Sequence, residues 1–239
     1  MQILVDLHTH TVSSGHAYST IMENAQAAAK RGITMLAMTD HGPAMPGGPH
    51  EYHFGNQKVI PEYLSGVRIL KGIEANVLDA AGKLDLPVGR LNKLDIVLAG
   101  LHTKCAPNQG CEANTAMLIA VMRNPLVDVI VHPGNPEYPV DIRAVVEAAK
   151  ANDVALEINN SSLKQSRCGS RPLCLEFARL AYQSGTKLVL GTDSHFADAV
   201  GDFGEALVLL EEAGVPLDYV LNTMPERVLA HLARHRAPK

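Results

Sequence analysis

His8 and His10 stand two residues apart at the end of an apolar run, Ile3 to Leu7, and a histidine pair at that spacing is a bidentate start to a metal site. Side chains alternate along an extended strand, so both imidazoles point to one face and can grip one ion. Asp193-Ser194-His195 repeats the spacing after the apolar strand Lys187 to Leu190. Between them, other apolar runs each end in a ligand-type residue: Met35–Thr39 before Asp40-His41, Val67–Ile73 before Glu74, Asp95–Leu101 before His102, and Val127–Val131 before His132. His16 follows in the loop behind the first pair. Ordinary strand ends would carry a mixture of Asp, Asn, Ser and Lys, whereas seven of the eleven histidines gather here. Nine such ligands are too many for one ion of tetrahedral habit and suit two or three. Asp40 stands where it could orient the His41 ring by a hydrogen bond.

These residues need a scaffold that brings strand ends together. Nearly continuous apolar strands alternating with helices argue for a parallel sheet covered by helices. The expected fold is a single-domain α/β barrel of about seven β/α units, with an open doubly wound sheet as the alternative. In such a barrel the C-terminal strand ends converge on one mouth, so residues far apart in sequence become neighbours. Thr20 and Glu23 have capping-box spacing at the head of the first helix, which runs to Lys30-Arg31. Further helices are expected at Gln57 to Leu64, Glu112 to Arg123, Asp141 to Ala151, Pro172 to Gln183, Phe203 to Ala213 and Pro225 to His235. A hairpin is expected at Asp79 to Gly82. His231 and His235 on the last helix read as surface residues.

Two loops at the expected mouth carry substrate-facing candidates. Pro43 to Phe54, rich in Pro and Gly, holds His50 and His53, and Ser161 to Arg167 holds Lys164 and Arg167.

A net charge of −4 gives no basic footprint for a large nucleic-acid surface. No apolar run approaches the roughly 20 residues that span a bilayer, so a cytoplasmic protein with no membrane contact is expected. Cys105, Cys111, Cys168 and Cys174 lack Cys-x-x-Cys spacing and read as reduced thiols. No Gly-x-Gly-x-x-Gly or P-loop spacing supports a nucleotide fold of those kinds.

In order and spacing, His8-Thr9-His10, His16, Asp40-His41, Glu74, His102, His132 and Asp193-Ser194-His195 resemble the motifs of the PHP (polymerase and histidinol phosphatase) superfamily. The flanking Gly-Ile-Glu-Ala-Asn, His-Pro-Gly-Asn-Pro and Glu-Ile-Asn-Asn-Ser-Ser stretches are similar to those of its YcdX-type phosphatases. The resemblance covers essentially the whole chain, residues 1–239, as one metallohydrolase domain. It implies a distorted (β/α)7 TIM-like barrel with a trinuclear centre of three divalent metal ions. Zinc is the expected ion, with Mn2+ or Fe2+ as alternatives. Carried over position by position, one ion would take His8, His10, Glu74 and Asp193. A second would share Glu74 and take His102 and His132, and a third would take His16, His41 and His195. A homotrimer is implied by the resemblance alone.

Three divalent cations against two carboxylates leave a charge of about +4 in an otherwise acidic protein, which selects anionic substrates. A hydroxide bridging two ions about 3.5–4 Å apart, held by Glu74, His102, His132 and Asp193, can attack phosphorus in line. The expected activity is phosphatase action on small phosphomonoesters, with His53, Lys164 and Arg167 as substrate contacts and His53 as a candidate leaving-group acid. The alternatives are a phosphodiesterase or short-oligonucleotide exonuclease, a carbon–nitrogen hydrolase, and a non-catalytic zinc-binding protein.

Overall fold

The computed structural model describes residues 2–164 and 166–234. In chain order its strands are β1 (Val5–Thr9), β2 (Met35–Met38), β3 (Tyr63–Leu64), β4 (Val67–Asn76), β5 (Ile96–Gly100), β6 (Val129–Ile130), β7 (Ala155–Asn159) and β8 (Leu188–Gly191). All but β3 are parallel and pair in the order β1-β2-β4-β5-β6-β7-β8. Beyond β8 the chain returns to the end of β1. Asp193 N donates to His8 O and His10 N donates to Ser194 O, each at 2.9 Å, which nearly closes the barrel.

Helices α1 (Ile21–Lys30), α2 (Glu51–Asn56), α3 (Val88–Leu91), α4 (Cys111–Met122), α5 (Ile142–Ala151), α6 (Asn160–Lys164), α7 (Ser170–Ser184), α8 (Gly204–Ala213) and α9 (Pro225–Ala233) complete the fold. The capping box at Thr20 and Glu23 forms as the sequence predicts. Strand residues divide by period two. Leu36, Val97, Ile130, Leu156 and Leu190 pack in the larger core, which includes helix residues such as Val145 and Phe177. Val5, Leu7, Leu70, Ile96, Leu98, Val129 and Val189 make a second cluster, to which α9 brings Val228 and Leu232.

An extra residue in β1 adjusts that alternation. The pairing of β1 with β2 shifts between Asp6 and Thr9, a bulge that lets His8 and His10 join the interior although Leu7 already packs there. Bulges re-aim side chains in this way beside functional sites.

Several local expectations need correction. Gln57 to Leu64 is not a helix: α2 ends at Asn56, one 3-10 turn follows, and Tyr63–Leu64 pairs antiparallel with β4. Pro61 denies the helix a donor. Ser65 (φ 51°) and Gly66 (φ 79°) make the left-handed two-residue turn that suits a tight hairpin. Asn160 to Lys164, read as loop, is a short helix. The hairpin near Asp79 is present, with Val77 bridged to Leu84. His231 is buried, its Nε2 donating to Asp128 O (3.0 Å) and its Nδ1 accepting from Lys187 Nζ (3.2 Å). His235 lies outside the described residues. Among those described, no helix is long and apolar enough to cross a membrane.

Candidate metal centre

Glu74 is the hub of the mouth. It sits inside β4, fully buried, and its two carboxylate oxygens face different histidines. Oε1 lies 2.8 Å from His132 Nε2, 3.0 Å from His102 Nε2 and 3.5 Å from His8 Nε2. Oε2 lies 2.7 Å from His41 Nδ1 and 3.4 Å from His10 Nε2. Asp193 supplies the second acid, with Oδ1 at 3.5 Å from His8 Nε2 and 3.2 Å from His10 Nε2. His195 lies with its ring 4.3 Å from that of His10, and the exposed His16 stacks on His41 and His195 at 5.0 and 4.9 Å. All nine residues singled out in the sequence therefore meet at one place.

Among the described residues, three triads offer ligand atoms within 4.8 Å of one another: His10, His41 and His195; His8, His10 and Asp193; and His41, Glu74 and His102. The donor set fits divalent cations on a further ground. His8 Nε2, His10 Nε2, His41 Nδ1 and Glu74 Oε2 are buried and make no hydrogen bond, even where His41 and Glu74 approach closely. Buried polar atoms left without partners are costly, and a cation taking their lone pairs removes the penalty. His132 (φ 35°) and Asp193 (φ 53°) adopt the left-handed backbone region just past β6 and β8. Strain of this kind in non-glycine residues clusters at functional sites.

Electrostatics tune the same atoms. Burial opposes charge on Glu74, but His41, His102 and His8 outweigh it and hold the carboxyl well below its usual range. Asp193 is held low likewise, against burial, by His8 and Arg167. Burial with His41 and His195 pushes His10 down to about 3, and burial with Arg167 pushes His132 to about 4, so both rings are neutral at pH 7. His8 goes the other way: burial lowers it, but Glu157, Asp193 and Glu74 raise it well above the ordinary value. The acids that raise it would equally favour a cation at His8 Nε2, which faces Glu74 and Asp193.

Supporting residues lie behind these atoms. Glu157, passed over in the sequence, accepts from His8 Nδ1 at 2.7 Å, from His132 N at 2.8 Å and from Asn159 Nδ2 at 3.0 Å. Its signal was a lone carboxylate inside an apolar strand, in phase with Asn159. Asp40 does not orient His41 as expected. It accepts from Thr11, Ser14 and His53, and these bonds outweigh burial to hold it at about 2.

The mouth opens into a cavity of about 530 Å³ lined by His16, His41, His102, Asp193, His195, Lys164 and Arg167 among others. Arg167 Nη1 donates to Asp193 Oδ2 at 3.0 Å, and Lys164 is paired with Asp202. His53 turns toward Asp40 at 3.2 Å, and His50 Nδ1 accepts from Tyr52 N.

The PHP domain matches residues 6–130. A probable phosphatase of Caldanaerobacter subterraneus subsp. tengcongensis is 50% identical over 237 residues, covering 99% of this chain and 93% of its own. A probable phosphatase of Shewanella pealeana is 48% identical, covering 98% and 94%. Among solved structures, histidinol phosphate phosphatase from Lactococcus lactis subsp. lactis, complexed with zinc, L-histidinol and phosphate, shares the fold. Its TM-score is 0.63 at 15% identity, with 90% of this chain and 95% of that one covered. With half of its length matched by the domain and relatives this similar along nearly all of it, the chain belongs to the PHP family.

Proposed function

We propose that this protein is a metal-dependent phosphatase that hydrolyses small phosphomonoesters at a centre of three divalent ions. The observation that carries the reading is the placement of Glu74, whose two oxygens address His102 and His132 on one side and His41 and His10 on the other. A carboxylate so placed is suited to bridging ions. His8, His10, Glu74 and Asp193 would hold one ion, Glu74 with His102 and His132 the next, and His16, His41 and His195 the third. Seven imidazoles favour zinc over the harder magnesium or calcium. The curated relatives named as probable phosphatases, and the zinc in the histidinol phosphate phosphatase, support the same reading.

When bound, the cations supply Lewis-acid charge for the ester oxygens and lower the pKa of an attacking water. The chain's own residues do the rest. Glu74, His102, His132 and Asp193 would hold the attacking water. Arg167 presents its guanidinium at the cavity beside Asp193 and can meet the phosphoryl group bidentately. The cavity's size admits a leaving group beyond the phosphate itself, so the substrate is a phosphorylated small molecule.

Turnover of phosphomonoesters, phosphodiesters and amides before and after chelation tests this. The reading predicts monoesterase activity that chelation abolishes and zinc or manganese restores. Amide turnover alone, or ester turnover indifferent to chelation, would overturn it.

A further inference from the structure

His53, on α2, reaches the buried site through two intermediaries. Its Nε2 donates to Asp40 Oδ2 at 3.2 Å. Asp40, sealed from solvent, also accepts from Thr11 N at 2.7 Å and from Thr11 Oγ1, and its Oδ1 accepts from Ser14 Oγ at 2.7 Å. A hydroxyl has one proton. With that proton given to Asp40, Ser14 Oγ can only accept from its other partners, the His41 backbone N–H at 3.2 Å and His10 Nδ1 at 3.0 Å. His10 must therefore carry its proton on Nδ1. Its Nε2 is the buried atom without a hydrogen bond that faces Glu74 and Asp193.

We infer that Ser14, Asp40 and His53 form a positioning chain that locks the His10 ring with its Nε2 lone pair toward the metal cluster, coupling the seating of α2 to metal affinity. The inference rests on the metal-centre reading above. None of the three touches an ion; each acts through the next. The coupling is reciprocal, so metal uptake also strengthens the hold on α2. α2 is also held by Phe54 in the larger core and, at its end, by Gln57 Nε2 donating to Gly72 O at 2.9 Å, while the loop ahead of it is tied where Asp85 accepts from Ala44 N at 2.9 Å.

Zinc affinity of the full-length protein, measured by competition with a chromophoric chelator, tests the chain, with the absorption spectrum of the cobalt-substituted protein as a second readout. Ser14→Ala and Asp40→Asn should each weaken binding by about 10–100-fold, the usual effect of losing a partner behind a ligand. His53→Gln should weaken it several-fold in the wild-type background and not at all in Ser14→Ala, where the link to His10 is already cut. Ser14→Thr keeps the hydroxyl and should restore affinity and spectrum. If Ser14→Ala does not fold, Asp40→Asn cuts the chain one link earlier, between His53 and Asp40, and His53→Gln should then have no effect in that background. An equal effect of His53→Gln in both backgrounds, or unchanged zinc affinity in Ser14→Ala and Asp40→Asn, overturns the chain while leaving the metal centre standing. A wild-type protein that binds no zinc overturns both.

Discussion

His8 Nδ1 lies 2.7 Å from Glu157 Oε1, with both side chains almost wholly shielded from solvent. The carboxylate fixes the imidazole proton on Nδ1 and turns Nε2 toward Glu74 and Asp193. Glu157 also accepts from His132 N and Asn159 Nδ2. Glutamine has one acceptor oxygen, so Glu157→Gln sets an NH2 against at least one of these donors. We predict that Glu157→Gln lowers metal affinity by about 10–100-fold, read by elemental analysis after dialysis against chelator, without loss of the helical circular dichroism signal. Metal retention equal to wild type would contradict this.

A methyl group can disturb the same contact from the opposite wall. A Cβ built on Gly191 would stand 1.8 Å from Glu157 Oε1 and 3.0 Å from His8 Cβ. Gly191→Ala should therefore reproduce the Glu157→Gln defect in metal content and turnover. Gly89→Ala in α3, where a Cβ meets nothing within 4 Å, is the control and should leave both unchanged.

The two mouth cations should differ in weight. Arg167 is half-enclosed and paired with Asp193, whereas Lys164 is more exposed and tied to Asp202. Charge-assisted contacts of about 1.5–3 kcal/mol translate to roughly 10–100-fold in kcat/KM for Arg167→Ala on a phosphomonoester. Lys164→Ala should cost less than about threefold, because an exposed pair contributes little. Steady-state kinetics on both variants checks the ranking; a larger loss for Lys164→Ala would reverse it.

The legible part of the molecule was the part governed by periodicity. Apolar strands in alternation with helices gave the barrel, and the barrel mouth brought His8, His41, Glu74, His102, His132 and Asp193 together although they lie far apart in sequence. Hydrogen-bond partners were not legible, because they depend on which side chains meet across the barrel. Asp40 sits beside His41 in sequence, yet it serves His10 through Ser14. Glu157, an acid set within the apolar strand β7, is the support of His8. His231, expected at the surface of the last helix, lies one turn from Val228 on that helix's buried side and is enclosed with Asp128 and Lys187 as partners. The helix expected at Gln57 to Leu64 failed because Pro61 and the Ser65-Gly66 turn favour a hairpin onto β4.

His231 gives a pH prediction well away from the metal centre. Burial, with Arg234 and Lys187 nearby, pushes its pKa down to about 4. The unfolded chain, with an ordinary value near 6.5, then binds more protons than the folded one between those two pH values. The stability from keeping this ring neutral is thus present above about 6.5 and is lost as pH falls toward 4. Comparing wild type with His231→Gln isolates this contribution from the other histidines. The stability difference, from urea unfolding midpoints, should fall by about 2 kcal/mol between pH 7 and pH 5. A difference independent of pH would contradict the assignment.

Metal stoichiometry tests the central claim most directly. Elemental analysis of the purified protein saturated with zinc and freed of excess should return about three equivalents per chain, falling by two or more in Glu74→Ala, because in the proposed centre that carboxylate would serve more than one ion. A wild-type chain holding no stoichiometric metal, or a Glu74→Ala variant that retains the full complement, would contradict a centre organised on Glu74.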